Sequence, residues 1–224
     1  GMIKRLDEAL GRILDALKSL NIDDETIILY TADHGCHFKT RNSEYKRSGH
    51  EASVRVPTAF SGPGFKGGGR RTEVMSLVDL VPTLLESSGI EPPEEMPGRS
   101  LMPILRGEVS DWKQEAFIQI SESQVGRAIR TGRWKYGVVS NQNDGETESC
   151  ADHYVENYLY DLHSDPYELQ NLIGYGSHRK VAVRLKKKIL NAMEIAGESR
   201  PMITDHELTM PQSQRTVLPQ EIEQ

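Results

Sequence analysis

Asp33 and His34 close an apolar run, "TIILYTADHG", at residues 26–35. An acid and an imidazole side by side at the mouth of a β-segment are costly to desolvate unless something binds them. A carboxylate oxygen and an imidazole nitrogen are good ligands for a divalent cation. Gly35 lets the backbone turn away sharply behind them. In open parallel sheets, ligands bind just beyond the carboxyl ends of strands, which is where this pair falls. The plainer alternative is a capping aspartate beside a hydrogen-bonded core histidine. One Asp–His pair needs further ligands to make a metal site, so both readings stay open on spacing alone.

A second group of chemically capable residues follows in "EYKRSGHEASVRVP", with Lys46, Arg47, His50 and Glu51 close together. A lysine and an arginine near a cation suit a tetrahedral oxyanion such as sulfate or phosphate. The alternative is a solvated loop charge. His37 and Arg47 are candidates for lining a substrate pocket, against a role in loop hydrogen bonding. His50 stands just before an expected buried strand and joins Lys46 as a catalytic candidate. Cys36 follows the acid–imidazole pair but has none of a nucleophile's context.

These residues need elements to hold them. Residues 2–20 carry Ile3, Leu6, Leu10, Ile13, Leu14 and Leu17 at helical spacing, with Asn21 as the cap. "TIILYTA" is almost all apolar or β-branched, which predicts a strand buried on both faces in a parallel sheet. "SVRVPTAFSGPG" predicts a second strand, short or near an edge because of Pro57. "GFKGGGRR" is a glycine-rich connection without the lysine and Ser/Thr of a phosphate loop. "VMSLVDLVPTLLESSGI" predicts a helix with Val78, Val81, Leu84 and Leu85 inward, kinked or begun near Pro82.

After Asp111 the texture changes. "EAFIQIS", "GRAIRTG", "RWKYGVVS" and "NYLYDL" are short strand patterns separated by turn residues, as in a small antiparallel sheet. "HRKVAVRLKKKILNAMEIAG" is an amphipathic helix, apolar at Val181, Leu185, Ile189 and Met193. From Glu198 the chain is polar and proline-bearing, which predicts a surface-wrapping or disordered tail. The expected division is residues 1–112 as α/β, 113–200 as a small α+β unit and 201–224 as an extended tail.

Composition sets outer limits. The chain has 224 residues, a net charge of −6 and 27% charged residues, with mean hydropathy −0.54. An acidic balance argues against a general nucleic-acid binder, and no stretch approaches the roughly 20 apolar residues of a membrane span. The first residues lack the apolar core of a signal peptide. Cys36 and Cys150 are too few for a disulfide framework and leave the compartment open, a periplasmic or secreted full-length parent included.

Taken in order, these segments resemble the sulfatase family. "LDEALGRILDALKSLNIDDETIILYTADHG" is similar to the helix, turn and strand leading into that family's second metal-ligand segment. "KRSGHEASVRVP" resembles its lysine motif, K-x-(S/T)-x-x-E followed by R-V-P. "SGPG", "SLVDLVPTLLESSGI", the "GRSL…P…L…G" pattern and "LYDLHSDPYELQNL" continue the match. The resemblance covers most of residues 3–197. It implies an alkaline-phosphatase-like α/β sheet with helices, plus a small C-terminal antiparallel subdomain carrying a helix. It implies hydrolysis of sulfate esters with one Ca2+, or Mg2+ as the alternative, and a formylglycine nucleophile. Asp33 matches the family's metal aspartate, His34 the adjacent ligand, and Lys46 the lysine that contacts the sulfate.

The resemblance covers only the C-terminal portion of such an enzyme. The nucleophile motif C/S-x-P/A-x-R does not occur at Cys36, Cys150, Ser43 or Ser61, and the paired aspartates that open the family's chains are absent. The expectation is therefore that this chain by itself has no sulfatase activity and little calcium affinity. The expected partners are a sulfated small molecule or sugar and, through an exposed sheet edge, a second copy of the chain. A phosphoester or phosphonate hydrolase of the same superfamily and a non-catalytic fragment remain the competing readings.

Overall fold

The computed structural model describes residues 1–65, 68–108, 111–209 and 217–224. Lys66 and Gly67 of the glycine-rich connection and residues 210–216 of the expected tail lie outside this range.

The N-terminal pattern folds as read. Helix α1 runs from Met2 to Ser19 and ends where Asn21 takes the left-handed conformation at φ 58°. Its apolar stripe is only partly covered: Leu10, Leu14 and Leu17 are half-buried, no residue of α1 is buried, and Ile3 and Ile13 are 85% and 59% exposed.

The expected doubly buried parallel strand is a correction. Strand β1, Ile28–Tyr30, is short, partly exposed, and paired antiparallel with β2, Ala59–Ser61, with Leu29 opposite Phe60. A strand is buried on both faces only where elements cover both sides. Here Leu29 and Phe60 rest on a small cluster of Leu80, Leu101, Ile104 and Trp112, and β2 is the only described strand beside β1. The pattern in the sequence anticipates cover that these residues do not provide.

The second strand pattern is also divided. Its first part is a single helical turn, α2, Glu51–Val54, in which Ser53 and Val54 amides donate to the His50 carbonyl at 2.8 and 3.0 Å. Only after Pro57 does the chain extend into β2. Helix α3 begins at Leu80 after a 3-10 turn, placing Pro82 in its first turn, and ends at Ser87. Its buried residues are Leu80, Pro82 and Thr83, whereas Val78 and Val81 are half exposed. The Asp79 carboxylate rotates this segment: it accepts from the Ser76 and Arg99 amides, each at 2.9 Å. A short helix, α4, Met102–Leu105, closes the cluster.

The C-terminal sheet has the order β3-β4-β5-β6-β7. Strands β3 (Glu115–Ile120), β4 (Gly126–Thr131), β5 (Trp134–Val139) and β6 (His153–Asp161) are antiparallel, as the turn spacing predicts. Strand β7, Met202–Thr204, lies parallel to β6, so the expected surface-wrapping tail begins by joining the edge of this sheet. Helix α5, Arg179–Ile195, buries Val181, Leu185, Ile189 and Met193 on one sheet face, against Ile129, Trp134, Tyr136 and Leu159. The last turn, α6, Pro219–Ile222, is pinned by the Trp134 indole N–H donating to the Glu221 carbonyl at 2.6 Å.

The opposite face of the sheet carries Ala128, Tyr158, Tyr160 and Leu162. The loop between β1 and α2 lies against this face. That contact joins the two halves of the molecule and positions the chemically capable residues.

Candidate oxyanion and metal half-site

The loop leaves β1 at Tyr30 and returns at Glu51. Gly35 fixes where it leaves: its amide donates to the Ser53 carbonyl at 2.7 Å, and a Cβ there would sit 2.1 Å from the Ala52 carbonyl oxygen. Only glycine permits this approach. The turn after β1 is thereby pressed onto α2, and Asp33 and His34 stand beside the segment carrying Lys46.

The Asp33 side chain is 85% exposed. Its Oδ1 accepts from the His34 amide at 3.0 Å, and its Oδ2 lies 3.5 Å from His34 Nε2. His34 Nδ1 donates to the Gly35 carbonyl at 2.7 Å, since a carbonyl only accepts. The lone pair of the neutral ring is therefore on Nε2, facing the carboxylate. A carboxylate oxygen and an imidazole lone pair on one side, with the other ring nitrogen tied to a backbone carbonyl, is the donor arrangement a divalent cation uses. These residues fit such an ion as a partial set, because calcium takes 6–8 oxygen ligands.

Tyr45 links this pair to the lysine. Its ring meets the His34 ring edge-on, with centroids 6.0 Å apart, and Lys46 Nζ lies 5.6 Å from the Tyr45 centroid. His34, beside Asp33, and Lys46 thus each neighbour the Tyr45 ring.

The other candidates point elsewhere. Arg47 is engaged by Glu44 at 3.0 Å and by Glu122, and these carboxylates hold its guanidinium charged. His37 is 2% exposed, and neither ring nitrogen has a hydrogen-bond partner among the described residues. Its backbone closes the loop: the amide donates to the Tyr45 carbonyl at 2.8 Å, and the carbonyl accepts from Thr40 Oγ1 at 2.6 Å. His50 turns inward to the C-terminal sheet, stacking on Tyr158 with centroids 4.9 Å apart, its Nε2 3.3 Å from the Tyr160 hydroxyl. Burial, with Arg41, Lys135 and His37 nearby, pushes the His50 imidazole down to about 3. It is a neutral ring at physiological pH.

Beneath His50 lies a charged cluster that sequence reasoning missed. Lys135, on β5, is fully buried and meets Glu51 Oε1 at 2.6 Å and Glu168 Oε1 at 2.8 Å. Glu168 Oε2 accepts from the Glu51 amide at 2.8 Å. Arg41 donates to the Tyr167 and Glu168 carbonyls at 2.7 and 2.9 Å. In "RWKYGVV" the lysine reads as an outward residue on an alternating strand. The signal that could have found it is Glu51 together with the acidic "DPYEL" segment, two carboxylates in need of a cation.

Cys36 and Cys150 are both free thiols. No helix among the described residues is long and apolar enough to cross a membrane.

Comparison with known proteins gives the family. The family described as N-sulphoglucosamine sulphohydrolase, C-terminal, matches residues 43–195. Mouse arylsulfatase K (Mus musculus) is 34% identical over 181 residues, covering 76% of this chain and 31% of that protein. A solved structure of BT4656 in complex with its substrate D-glucosamine-2-N,6-O-disulfate is similar with a TM-score of 0.72 and 27% identity, covering 89% of this chain and 40% of that one. The phosphonate monoester hydrolase SpPMH from Silicibacter pomeroyi is similar with a TM-score of 0.68 and 27% identity, covering 91% and 40%. The chain spans about a third of the length of the curated relatives it matches. Its mixed α/β architecture is that of the alkaline-phosphatase-like sulfatases, and the chain belongs to the sulfatase family, of which it represents the C-terminal portion.

Proposed function

We propose that this chain supplies the lysine and one pair of metal ligands to a sulfuric ester hydrolase acting on sulfated sugars. The observation that carries the reading is the grouping of Asp33, His34 and Lys46 around Tyr45 at the end of β1, within a chain of the sulfatase family. The bound disulfated glucosamine in the similar BT4656 structure supports a sugar sulfate as the substrate class.

The chemistry follows from charge. Breaking the S–O bond of a sulfate ester leaves negative charge on the bridging oxygen. We assign the Lys46 ammonium to meet that charge, and a preorganised donor of this kind is worth about 3 kcal/mol once the site is closed to water. The Tyr45 ring lies beside the Lys46 ammonium, whose Nζ is 5.6 Å from its centroid. Asp33 and His34 would hold a divalent cation, Ca2+ or Mg2+, which when bound supplies Lewis-acid charge at the sulfate oxygens. The nucleophile, a formylglycine in this family, lies outside this chain. His37 and Arg47 shape the loop that carries Lys46, through its backbone closure and its carboxylate pairs. His50 braces the same loop from below.

The second reading is a phosphonate or phosphate monoester hydrolase. The likeness to SpPMH supports it, and the same lysine and metal pair would serve a phosphoryl group. The proposed protein partner, for either reading, is a second copy of the chain met through an exposed sheet edge.

The decisive experiment is expression of the reading frame extended upstream. Mass spectrometry then tests for formylglycine, and paired assays offer sulfated glucosamine and a phosphonate monoester. Turnover of the sulfated sugar supports the first reading. Turnover of the phosphonate alone overturns it in favour of the second.

A further inference from the structure

We propose that Lys135 is a positioning residue for the oxyanion half-site, clamping Glu51 and Glu168 so that the loop from Lys46 to His50 is held against the C-terminal sheet. The proposal rests on the reading of Lys46 as the sulfate-contacting residue.

Lys135 joins segments that are distant in sequence. Glu51 opens α2, Glu168 lies in the loop after β6, and Lys135 is paired with Tyr160 in the β5–β6 register. Its ammonium is fully buried and lies 2.6 and 2.8 Å from the two carboxylates, as close ion pairs in which neither Nζ nor Glu168 Oε1 reaches hydrogen-bond geometry among the described residues. Arg130, beside Lys135 in the β4–β5 register, adds a second cation 3.8 Å from Glu51. A buried ion cluster contributes little net stability compared with an apolar core of the same shape. What it does supply is a defined geometry, because each member is costly to bury alone.

That geometry reaches Lys46 through a stiff piece of backbone. Glu168 Oε2 holds the Glu51 amide at 2.8 Å, fixing the start of α2. Ser48, 7% exposed, shares a hydrogen bond with Ser53 at 3.1 Å, and its amide donates to the Lys46 carbonyl at 2.7 Å. Gly49 is pressed on Tyr158, where a Cβ would lie 2.2 Å from the hydroxyl oxygen. Between Lys46 and Glu51 the loop therefore has little freedom once the clamp is closed. The C-terminal sheet is a working part of the site.

The test uses the purified chain, with Lys135→Met as the main variant and Glu168→Gln as the milder one. Glu168→Gln keeps an oxygen for the Glu51 amide and removes one charge facing Lys135. Three readouts are made by NMR: amide exchange, the His50 ring titration, and the response of Lys46 to added inorganic sulfate. The groups facing His50 are Arg41 and His37 from the loop, Lys135 from β5, and Tyr158 and Tyr160 from β6. Losing the Lys135 cation should let the ring titrate higher.

In Lys135→Met, exchange protection over residues 46–54 should fall roughly tenfold or more, while that of α5 stays unchanged. The His50 titration should move up toward the ordinary imidazole range, and the Lys46 response to sulfate should weaken several-fold. If Lys135→Met also loses protection in α5, Glu168→Gln decides: local loosening around Lys46 supports the clamp, and wild-type values overturn it. Wild-type behaviour in Lys135→Met itself overturns it outright. A wild-type chain indifferent to sulfate would instead remove the reading of Lys46 as the sulfate-contacting residue, and exchange and the His50 titration would still decide what Lys135 holds.

Discussion

Arg133 and Asp161 meet as a two-point pair at the end of β5 and β6, with Nε donating to Oδ1 at 2.9 Å and Nη2 to Oδ2 at 2.8 Å. Both are buried, and the same guanidinium reaches Glu221 Oε1 at 2.8 Å, tying the C-terminal turn to the sheet. Removing Asp161 takes away the two-point partner and leaves Glu221 as the remaining carboxylate on Arg133. Asp161→Ala should therefore cost about 1–3 kcal/mol, read as a lower urea midpoint with an unchanged slope. A loss below about 1 kcal/mol would mean the pair is solvated in solution.

His50 gives the fold a pH dependence with a definite sign. Its imidazole titrates at about 3 in the folded chain, against the ordinary 6.5, because burial disfavours the cation. The unfolded chain therefore binds the extra proton between these values. This contribution is fully present above about pH 6.5 and falls as pH drops toward 3, with a slope of at most ~1.4 kcal/mol per pH unit. His50→Phe should flatten that limb of the urea-midpoint profile. An identical profile in the variant would assign the acid limb to other groups.

Asp33 and His34 are placed for binding more than for stability. With the Asp33 side chain 85% exposed, Asp33→Asn should shift stability by less than about 0.5 kcal/mol. The wild-type His34 ring resonances should respond to millimolar Ca2+ or Mg2+, and the variant should not. An equal response in both would place the cation elsewhere.

Gly35 is the hinge of the site. A methyl group there meets the Ala52 carbonyl oxygen at 2.1 Å, which is backbone and cannot swing aside. Gly35→Ala should cost about 1–3 kcal/mol and disturb the amide resonances of residues 50–54. Gly11→Ala is the control, since a Cβ at Gly11 meets nothing within 4 Å. Similar effects from both would argue against the close approach.

The two faces of helix periodicity give a further contrast. Leu185 is 1% exposed in the main core, and Leu185→Ala should cost about 2–5 kcal/mol. Ile13 is 59% exposed, so Ile13→Glu should leave the melting of the chain nearly unchanged. If a second copy pairs through a sheet edge, sedimentation velocity should show a dimer that Ile13→Glu leaves intact. A wild-type chain that sediments as a monomer at high concentration would sink that partner assignment.

Much of this molecule was legible because its periodicities are local. Val181, Leu185, Ile189 and Met193 fall on one face of α5, and all four are buried. The four antiparallel strands announced themselves through turn residues at short intervals. "TIILYTA" was misleading in the opposite way: its composition describes a strand enclosed on both sides, and the described residues enclose only one. Asp33, His34 and Lys46 could be named from their types, but Tyr45, the ring that brings them together, carries no signal of its own. Lys135 was invisible because its meaning depends on Glu51 and Glu168, which meet it only after the sheet has formed. Long-range charge pairing has no period to read.

Helix α1 carries a further consequence. With none of its residues buried, its backbone hydrogen bonds are the main restraint on its shape, and an isolated helix of this length is marginal in water. On warming, its far-ultraviolet dichroism should fade gradually and well ahead of the cooperative step that unfolds the sheet and α5. A protease supplied at low dose should nibble through residues 2–19 first, leaving behind a trimmed, still-folded remainder.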